Sequence, residues 1–470
     1  MLIKNTFLYL IGNVVNRIGA FLLLPIYTTH LSVSDYGILE LVYSTISVLS
    51  VFLGAGLAHT TLRFYFNNDD QNYRNSVITT NAIITIIISS IFACILVANS
   101  LSISELLFEN KSYQYLVLIL SAIIIFELVS EIYFAYIRAE QKALLYVLVS
   151  SIKLFTQLVV SIYLVVYLDM SIHGVLIANL VCVFIVWLYL SFYTLRNCGL
   201  SLNLSIIKPV LKYALPFASA SIIAVVMANT DKFFIRYYIG LEELGLYGLA
   251  MKFALMLSFV LLDPIQKGYG PYRFSIMKNV NANLVYAGVT LVIIDISSLI
   301  VLSLAYFLPY VIHFIADPQY WPAISFIPIL LIGVMFQAIN YNMQTGILIN
   351  KKTNYLFYIM LIVALFNISA NYALIPLYGL YAASIIYSLS FVLMTILTYF
   401  KSKKEINIEY SWFKIFFNIA LLVGLIYIGT IIEENIVTYK ILLFLSFLVI
   451  IYFLNIKEHK RTILLVKDNS

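Results

Sequence analysis

Long apolar runs alternate with short polar stretches along the whole chain. A helix needs about 20 mostly apolar residues to cross a bilayer. By this measure the pattern predicts fourteen membrane-spanning helices, near residues 5–31, 37–58, 77–99, 115–137, 143–167, 172–193, 213–239, 244–266, 284–308, 322–348, 355–375, 379–400, 413–432 and 439–455. We therefore expect an all-α polytopic membrane protein with short loops and no separate soluble domain.

The basic residues of the loops are distributed unevenly. Lys and Arg collect in alternate loops, and only Lys111 and Lys440 fall in the loops between. Because cytoplasmic loops are enriched in Lys and Arg, this asymmetry predicts a cytoplasmic-membrane protein with both termini in the cytoplasm. The first apolar run is too long for a signal peptide and is expected to stay as a span. The formal net charge of +6 reflects the same bias and predicts no nucleic-acid partner.

Composition agrees with this class of protein. The chain is 63% hydrophobic and 11% charged, with a mean hydropathy of +0.98, whereas soluble domains are about 25% charged. Cys94, Cys182 and Cys198 have neither metal-site nor disulfide spacing. The chain also has no GxxxxGK[ST] loop for ATP and no HExxH motif. We therefore expect no cofactor, no metal and no enzymatic activity.

Two short echoes indicate an internal repeat. LSVSDYGILEL (31–41) aligns with IGLEELGLYGL (239–249), which places Gly37 over Gly245, and Arg63 and Arg273 both follow the second span of a half. We predict two six-helix lobes related by a parallel repeat, residues 1–200 and 201–402, followed by two additional helices and a cytoplasmic tail in 403–470. Transporters built this way bind substrate between the halves and work by alternating access.

The first predicted span carries a polar stripe. At 100° per residue, Asn13, Asn16 and Arg17 fall on one side of the helix, and the other side is apolar. Arg17 lies roughly 20 Å along the helix from Lys4, and a charge at that depth costs at least ~2.5–3.5 kcal/mol. Since guanidinium suits phosphate, we predict that Arg17 faces a cavity and binds phosphate. A purely structural pairing of Arg17 with a glutamate is the alternative.

Further ionisable groups lie deep in other spans. Lys153 shares a face of the fifth span with Gln157, and Lys232 shares a face of the seventh with Arg236, where the two cations repel unless an anion lies between them. The excess of deep cations predicts an anionic ligand. In the fourth span a structural pair of Glu131 with Arg138 or Lys153 is an alternative. The deep acids that could carry a coupling proton or sodium ion are Glu131, Asp231, Asp263 and Asp295.

Three segments carry a resemblance to a known family. They are NTFLYLIGNVVNRIGAFLLLPIYTTHLSVSDYGILELVYS, GLAHTTLRFYF and YALPFASASIIAVVMANTDKFFIRYYIGLEELGLYGLAMKF. They resemble Wzx-type oligosaccharide flippases, the polysaccharide transporter branch of the superfamily that also holds MATE exporters and the lipid II flippase. The resemblance covers the whole chain in span number and two-lobed layout.

The resemblance implies a function. Such proteins move an undecaprenyl-pyrophosphate-linked oligosaccharide to the outer leaflet, for assembly into O-antigen, capsule or a related polysaccharide by a polymerase and chain-length machinery. Basic residues of relatives that line the pyrophosphate cavity correspond to Arg17 in the first span and Lys252 in the eighth. Arg63 lies at the expected inner mouth, whereas the second span has Glu40 as its charge and lacks the family's cation.

Two other classes of function are alternatives for this sequence. A MATE-like ion-coupled exporter would share the fold, but a site for cationic drugs favours deep carboxylates over deep cations, and Arg17 and Lys153 argue against it. A membrane glycosyltransferase or polymerase would need a sizeable outer loop, and the outer loops here are short. The expected ligands are a lipid-linked oligosaccharide and membrane lipids.

Overall fold

The expected all-α architecture is confirmed. The computed structural model describes residues 19, 21–54, 56–431 and 437–468, and no strand occurs among them. Residues 21–30 are helical and belong to the first predicted span. The helices that follow are α1 Val33–Gly54, α2 Leu57–Tyr65, α3 Gln71–Ala98, α4 Ser100–Phe108, α5 Gln114–Ala139, α6 Ala143–Ser161, α7 Ser171–Cys198, α8 Ile207–Tyr238, α9 Leu241–Pro264, α10 Gly270–Ser275, α11 Ala282–Ile315, α12 Ile327–Met343, α13 Thr345–Ile349, α14 Asn354–Glu405, α15 Trp412–Ile431 and α16 Val437–Asp468.

The helices match the predicted spans. Within the described ranges, eleven helical stretches are long and apolar enough to cross a membrane. One of them, α14, contains two predicted spans, because Gly379 has φ 59° and ψ −139° and interrupts the helix shortly after Pro376. The seventh predicted span is the 32-residue helix α8, outside that set of eleven. In the described residues, the second to fourteenth predicted spans are therefore almost entirely helical.

In two places, an irregular turn of the backbone separates a span from a short helix that follows it. Gly56, at the start of α2, has φ 70°, a left-handed conformation that suits glycine. In the second half of the chain, α9 passes through the π-helical turn Ile265–Tyr269 into α10. The short helices α2 and α10 carry Arg63 and Arg273 respectively. The sequence echo of these arginines therefore falls on a short helix after an irregular turn in both places, although the two turns differ in conformation.

The chain forms two compact units. The first ends at Arg236 and takes in Gly240–Gly245, and the second comprises Tyr237–Ile239 and Leu246–Ser470. In the first unit α5 packs against α3 and α7, around a core that includes Leu57, Val129 and Leu190. In the second unit α12 packs on α14, and α11 contacts α12, α15 and α16. The division into residues 1–200, 201–402 and 403–470 stays a prediction.

The two glycines of the repeat meet within the first unit. A Cβ atom on Gly37 would lie 1.8 Å from the carbonyl oxygen of Leu241, and one on Gly245 would lie 2.1 Å from that of Val33. Each glycine lies four residues after the first residue of its helix. Small residues allow helix backbones to approach this closely, so a side chain at either position would force the helices apart.

Many large apolar side chains lie on the outer surface of each unit. Phe155, Phe192, Phe314 and Phe413 are each more than half exposed. In a soluble protein such a surface would aggregate, whereas in a membrane it contacts lipid. The charged side chains described below lie on these apolar surfaces or between packed helices.

Candidate functional site

A cavity of about 210 Å³ lies in the first unit beside the middle of α5. We call it the Glu131 cavity; its lining includes Ser50, Gly56, His59, Thr85, Leu128, Glu131 and Ser221. The break between α1 and α2 contributes one wall, where Gly56 has no side chain to fill the space. The cavity therefore depends on the left-handed glycine as well as on the packing of α3, α5 and α8.

Among the described residues that line this cavity, Glu131 is the one acidic residue. It lies well inside the 26-residue helix α5, and its neighbours Ser130 and Ile132 are 4% and 2% exposed. The Glu131 side chain itself is exposed. A carboxylate at that position in an apolar helix, reachable from a cavity, has the properties that an intramembrane ion-binding group requires.

His59 lies on α2 at the edge of the same cavity and outside the candidate spans. Partial burial, together with the guanidinium group of Arg138, lowers the pKa of His59 below its ordinary value. The ring is therefore neutral at pH 7 and adds no positive charge beside Glu131.

The expected partner of Lys153 is corrected. Its ammonium lies 3.6 Å from the Oε1 atom of Glu127, one turn before Glu131, and the two side chains are 31% and 35% exposed. Arg138 in turn lies over the ring of Tyr146, 5.8 Å from its centroid. Among the described residues neither cation forms a direct ion pair with Glu131, although the charges of both Lys153 and Arg138 act on its carboxylate. Gln157 lies one turn beyond Lys153 on α6 and is half-buried.

Lys232 and Arg236 do not need a bound anion to separate them. The Lys232 ammonium lies 3.0 Å from Oε2 of Glu40, with side-chain exposures of 15% and 4%. Arg236 Nη1 lies 2.6 Å from Oε1 of Glu109, and its Nε donates to the carbonyl oxygen of Leu107. The expected repulsion was inferred from one helix alone and is wrong, since carboxylates from other elements of the first unit neutralise both cations. Their role in substrate binding stays a prediction.

The remaining predicted site residues are dispersed. Asp231 is buried, and its Oδ1 accepts the N–H of Lys232 at 2.9 Å. Asp263 accepts from Lys267 Nζ at 3.2 Å, one turn along the chain. Lys252 is half-buried and Arg63 is exposed. Asn13, Asn16 and Arg17 lie outside the described residues.

Asp295 lies at the centre of a hydrogen-bond cluster in the second unit. It is 3% exposed and accepts from Asn418 Nδ2 at 2.6 Å and from Asn455 Nδ2 at 2.8 Å. His459 Nε2 lies 2.9 Å from its Oδ2 atom. We call these four residues the Asp295 cluster. The cluster joins α11 to α15 and α16, so the Asp295 carboxylate stabilises the packing of the two additional helices in the second unit.

Sequence reasoning missed the partners of these charges. It named Glu40 but not its pairing with Lys232, and it omitted Glu109, Asn418 and Asn455. It also placed Arg273 after the second span of its half without a partner, whereas Arg273 is 2% exposed, donates to the Tyr341 carbonyl oxygen at 3.2 Å and lies 4.7 Å from the centroid of the Tyr341 ring. The available signal was an amide side chain within the apolar thirteenth and fourteenth spans, which indicates a buried hydrogen-bond partner.

Comparisons with known proteins identify a matching family and relatives with similar sequences. Residues 2–277 match the sequence profile of a family described as polysaccharide biosynthesis protein. An uncharacterized membrane protein of Haemophilus influenzae is 24% identical over 373 residues, which are 76% of this chain and 84% of the relative. The Lsg locus putative protein 1 of the same organism is 24% identical over 281 residues, 58% of this chain and 66% of that protein.

Solved structures share the fold. A lipid II flippase MurJ in an inward closed conformation aligns with a TM-score of 0.75 at 14% identity, over 97% of this chain and 99% of that one. An inward-facing multidrug resistance MATE family transporter of the MOP superfamily aligns with a TM-score of 0.63 at 16% identity, over 83% of this chain and 94% of that one. At these identities the likeness concerns the fold alone.

Proposed function

The chain belongs to the polysaccharide biosynthesis protein family, and from that premise we propose that it is a flippase for a polyprenyl-pyrophosphate-linked oligosaccharide. In this proposal it moves the repeat unit from the inner to the outer leaflet of the cytoplasmic membrane by alternating access. The glycan then enters O-antigen, capsule or a related polysaccharide, through a polymerase and chain-length machinery.

The family match over residues 2–277 carries the proposal. It has support from the fold, which aligns over 97% of the chain with a structure described as a lipid II flippase. Both proteins would then face the same physical task. Moving a pyrophosphate-sugar headgroup into hydrocarbon removes its hydration at a high cost in free energy, whereas the apolar polyprenyl tail is stable in hydrocarbon. A transporter has only to supply a wet, polar route for the headgroup.

The cations named from the sequence are proposed as the headgroup contacts. Arg17, Arg63 and Lys252 follow from the resemblance, and Lys153 and Gln157 from the polar face of α6. Lys153 is suited to this role because its contact with Glu127 is 3.6 Å long and partly exposed. An ion pair of that kind contributes little, so an incoming phosphate can compete for the ammonium at small cost.

Glu131 is the group we propose for ion coupling. It lines a cavity, whereas Asp263 is paired with Lys267 and Asp295 is enclosed by hydrogen-bond donors. Asp231 is buried and accepts a backbone N–H. Coupling needs a carboxylate that exchanges its proton or cation with water, and the exposure of Glu131 supports that assignment.

Mass spectrometry of the lipid fraction tests the proposed function. Cells lacking the protein should accumulate one polyprenyl-pyrophosphate oligosaccharide, and cells that regain it should not. The glycan part of that lipid would identify the cargo. The proposal would be contradicted if cells lacking the protein had an unchanged lipid pool and kept all of their surface polysaccharide.

An ion-coupled exporter of small molecules is the second candidate. The presence of Glu131, a carboxylate, in the described cavity favours it, because cationic drugs bind to such groups. This candidate expects an unchanged lipid pool together with raised sensitivity to cationic drugs in cells lacking the protein. The same comparison of cells therefore separates the two functions.

A further inference from the structure

An apolar groove of about 430 Å³ lies in the second unit. We call it the Trp412 groove; its lining includes Ile339, Met343, Thr395, Tyr399, Trp412 and Phe416. Its floor is closed, since Ile339 and Met343 are 3% and 2% exposed, whereas Phe416 at its side is 63% exposed. The groove is therefore deep and opens toward the surface of α12, α14 and α15.

Aromatic rings mark one end of the groove. The ring centroids of Tyr399 and Trp412 lie 4.7 Å apart, and the ring of Phe416, tilted relative to Trp412, has its centroid 5.7 Å away. Trp and Tyr of membrane proteins concentrate where hydrocarbon meets the headgroups. This end of the groove therefore lies at the level of the lipid headgroups, and by the charge of the adjoining loop it is the cytoplasmic end.

Basic side chains continue from that end along the same face of α14. Lys403 follows Tyr399 by four residues, and its ammonium lies 5.9 Å from the centroid of the Tyr399 ring. Lys404 follows the groove-lining Phe400 by four residues. At 100° per residue both lie on or beside the groove face, whereas Lys401 lies on the opposite face and contacts Tyr355.

The lysines on the groove face are not neutralised within the described part of the chain. The nearby carboxylate of Glu405 is paired with Lys352 at 3.0 Å, and Lys414 is paired with Glu458. No described carboxylate lies within ion-pair distance of Lys403 or Lys404. An apolar groove thus ends at two ammonium groups that are available to an anion.

We propose that the Trp412 groove binds an anionic phospholipid, with an acyl chain between α12, α14 and α15 and the phosphate at Lys403 and Lys404. Only an amphiphile satisfies both parts, because a free anion gains nothing from the apolar groove. Each lysine near an anionic headgroup contributes about a fivefold preference over a zwitterionic one. This proposal does not depend on the proposed flippase function.

Quenching of tryptophan fluorescence by brominated lipids tests this site directly. The chain has three tryptophans, so replacing Trp187 and Trp321 with phenylalanine leaves Trp412 as the reporter. The protein is reconstituted into vesicles of phosphatidylcholine containing equal mole fractions of either brominated phosphatidylglycerol or brominated phosphatidylcholine. Trp412 should be quenched more strongly by the brominated phosphatidylglycerol.

Two matched variants sharpen the result. Lys403→Gln should lower the preference for phosphatidylglycerol about fivefold, whereas Lys401→Gln, with the same change of charge on the same turn, should leave it intact. Equal quenching by the two lipids, or equal effects of the two variants, would overturn the proposal. So would displacement of both brominated lipids by undecaprenyl phosphate at a much lower concentration, which would assign the groove to the polyprenyl chain.

Discussion

Two membrane-embedded carboxylates, one in each unit, have opposite surroundings. Glu131 in the first unit lines a cavity and is exposed, and the ion pair that Glu127 forms with Lys153, one turn earlier on α5, is partly exposed at 3.6 Å. Asp295 in the second unit is 3% exposed and receives hydrogen bonds from two buried asparagines. Both were equal candidates for ion coupling on the basis of sequence.

The difference separates two uses of an intramembrane charge. A buried carboxylate whose oxygens are satisfied by fixed donors holds helices together, and changing its charge disrupts all of those contacts. An exposed carboxylate beside a cavity can change its proton or ion without breaking the fold. We infer that Asp295 stabilises the second unit and that Glu131 serves transport.

The largest expected effect follows from removing the Asp295 carboxylate. Asp295→Ala leaves the amides of Asn418 and Asn455 without acceptors, and loss of one member of a buried charged cluster typically costs about 3–5 kcal/mol. The thermal midpoint of the purified protein in detergent should fall accordingly. Asp295→Asn, which keeps the shape and one acceptor oxygen, should cost less, and an unchanged midpoint in Asp295→Ala would refute the structural role.

The next effect concerns transport rather than stability. Glu131→Gln removes the charge from an exposed side chain, so the stability should change by no more than about 0.5 kcal/mol. Lipid-linked oligosaccharide should nevertheless accumulate in the cells, and Glu131→Asp should restore part of the activity. Normal lipid levels in cells with Glu131→Gln would remove Glu131 from the mechanism.

A smaller effect compares two ion pairs of the first unit. Lys153→Met should change the free energy of unfolding by less than about 1 kcal/mol, because its pair with Glu127 is partly exposed. Lys232→Met should cost more, since it strands the Glu40 carboxylate, which is 4% exposed. Chemical denaturation in detergent measures both variants, and a larger cost for Lys153→Met would reverse the interpretation of the two pairs.

The smallest effect is a pH dependence at the edge of the cavity. The pKa of His59 is lowered in the folded protein, so the unfolded chain binds this proton more tightly. Stability should therefore decline as the pH falls through about 6.5. His59→Gln should show a shallower decline in thermal midpoint between pH 7.5 and 5.5, and identical profiles for both proteins would exclude this contribution.

Sequence alone was sufficient for the second to fourteenth spans because each apolar run is local and long. The break near Gly379 was also predictable from the short gap after Pro376. The partners of the charges were not, because Glu40 and Lys232 are separated by 192 residues and Asp295 and Asn455 by 160. Periodicity places a side chain on a face of its own helix but does not tell which helix lies opposite.

The repeat shows the same limit. Alignment of Gly37 with Gly245 predicted equivalent positions in two helices, and both glycines do lie four residues after a helix start. The close approach of their helices required coordinates: the carbonyl oxygen of Leu241 occupies the side-chain space at Gly37, and that of Val33 occupies it at Gly245. The candidate site was likewise predicted only in part, since Glu131 was named but its cavity was not.

Translocation of a lipid-linked oligosaccharide by the purified protein is the most direct test of the flippase assignment. Vesicles containing the protein and a polyprenyl-pyrophosphate oligosaccharide with a fluorescent glycan are treated with an impermeant reductant, which bleaches only the outer leaflet. We expect that the protein exposes the inner-leaflet fluorophore, that Glu131→Gln and Arg17→Ala abolish this, and that Lys401→Gln does not. Bleaching no greater than in protein-free vesicles would contradict the flippase assignment.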